Sequence, residues 1–214
     1  MKGSLTLVLL FYIISYSYGQ TDTTKKMIYD KENAMYYRIT NDDKYLYLNF
    51  YKDEYAAKVV DKGGIKLFFN IKGEKDTVNM PNMVYPVFKY PKKDFELIEI
   101  KGFSGVPDGQ ISVYNEFGIT AEAKYIAREG KSEVDRNKYV FESKVSIPLE
   151  LLGLKEQNRL SVMIFLRGMR LVALPQGRVS PVSESTSFNS NSDVNNWFLN
   201  MDTWTHSWVD YELK

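Results

Sequence analysis

Tyr36, Arg38, Tyr45, Tyr47, Asn49 and Tyr51 fall on one side of two runs of alternating residues and form the strongest chemical grouping in the chain. In the first run Met35, Tyr37 and Ile39 alternate with Tyr36 and Arg38. In the second, Leu46, Leu48 and Phe50 alternate with three tyrosines and Asn49. Successive side chains of a strand point to opposite faces, so each run has one apolar face and one polar, aromatic face. Flat rings beside amide and guanidinium donors suit a sugar: the ring meets the sugar's C–H face, and planar donors catch its hydroxyls. The expected ligand-binding set is Arg38, Tyr45, Tyr47, Asn49 and Tyr51, the tyrosines stacking while Arg38 and Asn49 donate hydrogen bonds. Lys66 and Asn70 on a following strand are expected to extend this face. The competing reading is a plain solvated sheet surface, since tyrosine favours strands for packing reasons alone.

Other chemistry is excluded by inventory. There is no cysteine, so neither a thiol nucleophile nor a zinc–sulfur site can be built, and no disulfide forms. One histidine, His206, rules out a multi-histidine metal site. No G-x-S-x-G elbow is present, and Gly63-Gly64 lacks the spacing of a phosphate cradle. Asp42-Asp43 is the most visible carboxylate pair, but it sits where a hairpin corner favours acids for backbone reasons. A calcium-binding corner there, or in the loop 76–82, is the alternative. No catalysis, metal or cofactor is expected.

These side chains need strands to hold them. Asn41-Asp42-Asp43-Lys44 is a polar corner in which Asn and Asp supply the left-handed backbone of a tight hairpin. Asp53–Lys62 has helical spacing and ends at Gly63-Gly64. Ile65–Ile71 alternates as a third strand. Residues 76–93 hold three prolines and no period, which predicts a long surface loop. Asp94–Ile100 and Ile111–Asn115 are extended. Ile119–Tyr125 and Tyr139–Ile147 alternate as a second hairpin, with Glu122, Lys124, Glu142 and Lys144 facing out. Pro148 closes that strand, Leu149–Leu152 makes one helical turn, and Gly153 caps it. Arg159–Arg167 is apolar on both faces and reads as a central strand. Residues 176–196 are rich in Ser and Asn and read as a flexible loop. Trp204–Leu213 returns as a terminal strand in which Trp208 anchors packing, while Trp197 or Trp204 is a candidate contact for a partner.

Of 214 residues, 28 are basic and 27 acidic, and the excess charge is carried by Lys2. Such neutrality gives no electrostatic reason to expect nucleic acid or an anionic membrane as partner. Lys2, the uncharged run Leu5–Ile14 and Ser17-Tyr18-Gly19 predict a signal peptide over residues 1–19. The protein is therefore expected to be exported, periplasmic or extracellular, with no transmembrane segment after cleavage. Residues 20–214 are expected to form one all-β domain, an antiparallel β-sandwich with one or two short helices. A closed barrel is the rival.

The run Tyr37-Arg38-Ile39-Thr40-Asn41-Asp42-Asp43-Lys44-Tyr45-Leu46-Tyr47-Leu48 resembles the opening of a group of exported Bacteroidetes proteins of unassigned function. Further matches come in the same order: Gly63-Gly64, Phe69–Lys75, Phe95–Ile98 leading to Gly102-Phe103, Ser146–Leu154, and a closing strand around Trp208–Leu213. More distantly the layout is similar to family-nine carbohydrate-binding modules and DOMON domains. The resemblance implies an immunoglobulin-like or DOMON-like β-sandwich that binds carbohydrate or glycan without catalysis. Sugar-binding members clamp a sugar end between two tryptophans, whereas here tyrosines occupy the matching strands and all three tryptophans follow residue 196. The alternative function is a cell-envelope structural or protein-interaction module docking through its C-terminal aromatic region.

Overall fold

The computed structural model describes residues 24–57, 59, 63–89, 92–132, 135–154, 158–167 and 204–214. The expected signal peptide (1–19), the Ser/Asn-rich loop (176–196) and Trp197 lie outside the described residues. Beside helical residues at 56, 57 and 59, a short 3-10 helix and thirteen strands have their bounds described. They are β1 (Ile28–Asp30), β2 (Met35–Asn41), β3 (Tyr45–Lys52), β4 (Ile65–Asn70), β5 (Asn82–Tyr85), β6 (Val87–Lys89), β7 (Lys92–Asp94), β8 (Leu97–Lys101), β9 (Gly109–Ser112), β10 (Thr120–Ala127), β11 (Tyr139–Pro148), β12 (Arg159–Arg167) and β13 (Trp204–Glu212). The helix is a single 3-10 turn, Leu149–Leu152.

Two antiparallel sheets make the expected all-β sandwich. The first runs β1-β2-β3-β11-β10, the second β13-β12-β4-β5-β8-β9, with β6-β7 as a separate ribbon. Alternation sets the layers. In β3 every second residue is buried, so Leu46, Leu48 and Phe50 join Phe141, Val145 and Ile147 of β11 on the inner face of the first sheet. Ile65, Leu67 and Phe69 of β4 and Leu160, Val162, Ile164 and Leu166 of β12 close from the other side. Each such side chain contributes about 1.5–3 kcal/mol on leaving water, and this burial is the main force joining the layers.

Local signals stop the elements where expected. β11 runs to Pro148, and the following turn ends at Gly153, whose left-handed backbone (φ 71°) lets its N–H donate to Glu150 O. β12 lies between β13 and β4, as its two apolar faces predict. Ala56, Ala57 and Val59 are helical within the predicted helix, with Ala56 and Val59 buried.

Three expectations are corrected. The predicted loop 76–93 contains β5, β6 and β7, and β5 is an inner strand with Met83 and Tyr85 buried. Its four residues lie between Pro81 and Pro86, where a missing N–H costs the ladder nothing, and so short a run shows no period. The hairpin corner uses no left-handed residue. Instead, Asp42 Oδ1 accepts the N–H groups of Lys44 (2.8 Å) and Tyr45 (2.7 Å), and Asp42 N–H donates to Tyr45 O (3.1 Å). Finally, Lys66 and Asn70 belong to the opposite sheet, and Asn70 is fully buried, its amide holding Asp76 O and the N–H of Lys72.

Two polar ties join the sheets beyond the core. At one end Asn33 is fully buried; its Nδ2 donates to Asp30 Oδ2 (2.7 Å), Ser207 Oγ (3.1 Å) and Ile164 O (3.2 Å), and its Oδ1 accepts from Thr205 Oγ1 (2.6 Å). Lys52, also fully buried, donates to Asn33 O (2.9 Å) and Ala34 O (2.8 Å). At the other end Asn41 Oδ1 accepts from Tyr211 Oη (2.8 Å) and the Lys214 N–H (3.0 Å). The groups around Asn33 and Lys52 satisfy one another away from water, which makes that tie costly to cut, whereas the Asn41 tie lies at the surface.

Candidate functional site

The outer face of the first sheet is organised as rows that cross four strands. Register places Arg38 opposite Asn49, Asn49 opposite Lys144, and Lys144 opposite Glu122. The next row along is Thr40, Tyr47, Ser146 and Thr120. The row on the other side is Tyr36, Tyr51, Glu142 and Lys124. Paired residues of neighbouring antiparallel strands sit close enough for their side chains to act together, so each row is a physical unit.

The first two rows line a groove of about 500 Å³, within the range of small-ligand sites. Arg38, Thr40, Tyr47, Asn49, Thr120, Glu122, Lys144 and Ser146 form its floor and sides, and Tyr114 joins them from the segment after β9. Tyr114 is 89% exposed, an aromatic ring left in water at the rim. Such a ring has most to gain from a ligand's apolar face.

The groove's polar groups differ in how far they are committed. Tyr47 Oη donates to Asp42 Oδ2 (2.6 Å), which fixes the ring's direction. That bond, with the two backbone N–H groups on Oδ1, holds the Asp42 carboxyl below its usual range, and the same bond pushes the Tyr47 phenol up. Lys144 Nζ and Glu122 Oε1 pair at 2.9 Å, both about two-thirds exposed and therefore screened. Arg38 and Asn49 have no side-chain partner among the described residues. Glu122 is the groove's single carboxylate.

Of the five expected residues, Arg38, Tyr47 and Asn49 line the groove together. Tyr45 stands next to it, its ring centroid 6.1 Å from that of Tyr47, above Gly118 and opposite Pro148. Tyr51 lies one row over, edge-on to Tyr36 (6.0 Å), which in turn meets Tyr29 (4.9 Å). Its hydroxyl accepts from Arg128 Nη2 (3.3 Å), whose guanidinium also reaches Asp53 (3.4 Å). Lys66 and Asn70 contribute nothing to this face, because the neighbour of β3 is β11 and not β4.

The expected set does not include Thr40, Tyr114, Thr120, Glu122, Lys144 and Ser146, which join Arg38, Tyr47 and Asn49 in the groove. Glu122 and Lys144 are legible as outward residues of a hairpin, but the pairing that brings them beside Asn49 is long-range. Tyr114 follows a short strand in an Asn- and Gly-containing stretch, and its exposure has no sequence signature.

Other hollows offer less. One of about 300 Å³ by Gly73, Arg159 and Tyr211 contains Asp210, which is already held by Ser161 (2.6 Å) and Lys75 (3.8 Å). Another of about 390 Å³ on the second sheet is lined by Lys66, Phe165, Arg167 and Trp204, with Trp204 62% exposed. At the Asp42-Asp43 corner both Asp42 oxygens are engaged by protein donors. Among the described residues no group of three or more His, Cys, Asp or Glu could hold a metal ion, and no helix is long and apolar enough to cross a membrane. Scans of this chain against family models, curated proteins and solved structures return no significant match.

Proposed function

We propose that this chain is an exported, non-catalytic binding protein that takes carbohydrate or glycan in the groove on the outer face of its first sheet. The observation that carries the reading is the pairing of two uncommitted planar donors, Arg38 and Asn49, with two aromatic rings, Tyr47 and Tyr114, around one groove. Rings and donors in that combination match the alternating apolar and hydroxyl faces of a sugar. Glycoside hydrolysis needs two carboxylates across the bond, and this groove has one, Glu122, already paired with Lys144. The sequence motifs that resemble those of carbohydrate-binding modules point to the same class, and the signal-like residues 1–19 support export. Glycan-array binding by the chain from residue 20 onward tests the reading. Binding that Arg38→Ala and Tyr114→Ala each weaken about tenfold supports it, and no binding to any glycan overturns it.

A second reading draws on Trp204, whose exposed ring borders the hollow beside Phe165 and Lys66 on the other sheet. There the protein docks to an envelope partner through its C-terminal aromatic region. It predicts that Trp204→Ala abolishes capture of that partner while Tyr114→Ala does not.

A further inference from the structure

β10 is an eight-residue edge strand: it pairs with β11 on one side and with nothing on the other among the described residues. The remaining edges are less available. β1 and β9 have three and four residues, and the nine-residue β13 is bonded through the side chains of Ser207, Thr205 and Tyr211 to Asp30, Asn33 and Asn41 at the other sheet. An open edge is a template for another strand.

The ladder shows which groups face outward. Arg128 N–H donates to Lys138 O (2.7 Å) in continuation of the β10–β11 register. Residues that bond a neighbour alternate with residues that face away. Even-numbered residues of β10 therefore point at β11, and Ala121 and Ala123 turn their N–H and C=O away from it, Ala123 being the less buried of the two. The bond from Leu149 N–H to Lys44 O (2.9 Å) gives the same parity from the other side of β11.

We propose that β10 pairs antiparallel with β10 of a second copy, centred on Ala123, which joins two five-stranded sheets into one of ten strands. In this register Ala123 exchanges both backbone bonds with the partner's Ala123, as its outward groups require. Glu122 then stands opposite the partner's Lys124, and Lys124 opposite the partner's Glu122. Both side chains are exposed; within its own sheet Lys124 stands opposite Glu142, and Glu122 pairs with Lys144 (2.9 Å). Charged edges usually keep strands apart, but here the charges are self-complementary. A slip of the register by two residues in one direction sets Lys124 against Lys124, and in the other Glu122 against Glu122, and like charges directly opposite are unfavourable. The register is thus chosen by charge, and the two-fold symmetry makes the interface isologous. Edge pairing keeps both grooves on one face. The partner's Lys124 and Ile126 then stand beside Glu122 and Thr120, which line the groove, so the second copy extends its wall. The pairing needs no sugar.

Sedimentation velocity over a concentration series tests this with three variants of the chain from residue 20 onward. The wild type is expected to dimerise reversibly. Ala123→Pro removes only an outward N–H, so its thermal melt should match the wild type at a dilution where both are monomeric, while the dimer is lost at higher concentration. Glu122→Lys alone and Lys124→Glu alone should each weaken self-association about tenfold, because each sets like charges opposite twice. Mixed one to one they should associate again, since every cross-strand pair is then opposite in sign. A wild type that stays monomeric at the highest soluble concentration overturns the proposal. So does a dimer that Ala123→Pro leaves intact, or a mixture no more associated than its components.

Discussion

The Tyr47 hydroxyl donates a 2.6 Å hydrogen bond to Asp42 Oδ2 around the hairpin corner. The bond joins the fold to the groove, because the carboxylate that shapes the corner through Lys44 and Tyr45 also orients an aromatic wall of the site. Since the phenol proton is committed to Asp42, the ring is the larger surface Tyr47 offers to the proposed ligand. Tyr47→Phe is therefore expected to keep glycan affinity, whereas Tyr47→Ala should lose about tenfold, as read by titration calorimetry. Equal losses in both variants would mean that the hydroxyl is the contact.

The same bond has an acid signature. The Tyr47 bond first, then the two backbone N–H groups, hold the Asp42 carboxyl below its unfolded value. A depressed carboxyl contributes stability that is fully present above the unfolded value and is lost as pH falls through the folded one. Asp42→Ala should lower the urea midpoint at neutral pH and flatten the loss of stability below about pH 4. Unfolding curves of both proteins across that range are the check.

Lys52 gives the opposite behaviour at alkaline pH. Burial lowers its ammonium to about 8, against the pull of Glu54, Asp53 and Asp30. Between that value and the ordinary 10.5 the unfolded chain holds a proton the native chain has released, so stability rises with pH. The gain is at most about 3 kcal/mol, from 1.36 kcal/mol per pH unit. Above about pH 10 the tyrosines reverse it, because burial pushes Tyr85 up to about 12 and the unfolded phenols ionise first. Denaturant melts should thus be most stable near pH 10, and Lys52→Met should remove the rise from pH 8.

Asn33 carries a larger structural cost. Truncation to alanine strands the buried Thr205 Oγ1 and removes a donor from the Asp30–Ser207 pair. Asn33→Ala should cost about 2–4 kcal/mol in the urea midpoint. Thr205→Val, which removes one partner of that amide, should cost about 1 kcal/mol. Comparable values for the two would show that the amide is not the hub.

By itself the sequence determined the parts whose signals are local. The alternation of Leu46, Leu48 and Phe50 marks β3, that of Phe141, Val145 and Ile147 marks β11, and Pro148 and Gly153 bracket the turn between β11 and β12. It also put Arg38, Tyr47 and Asn49 on one face, because a side-chain period of two is a property of the strand alone. Only the tertiary structure decided which strands became neighbours. Pairing β3 with β11 set Lys144 and Glu122 beside Asn49, sent Lys66 to the opposite sheet and buried Asn70. Lys52 continues the inward phase of β3, and the carbonyls of Asn33 and Ala34, which meet its ammonium only in the folded protein, hold it there. The physical reason is the same throughout. Periodicity is written along the chain, but partners come from surfaces that meet only once two sheets close on a shared core.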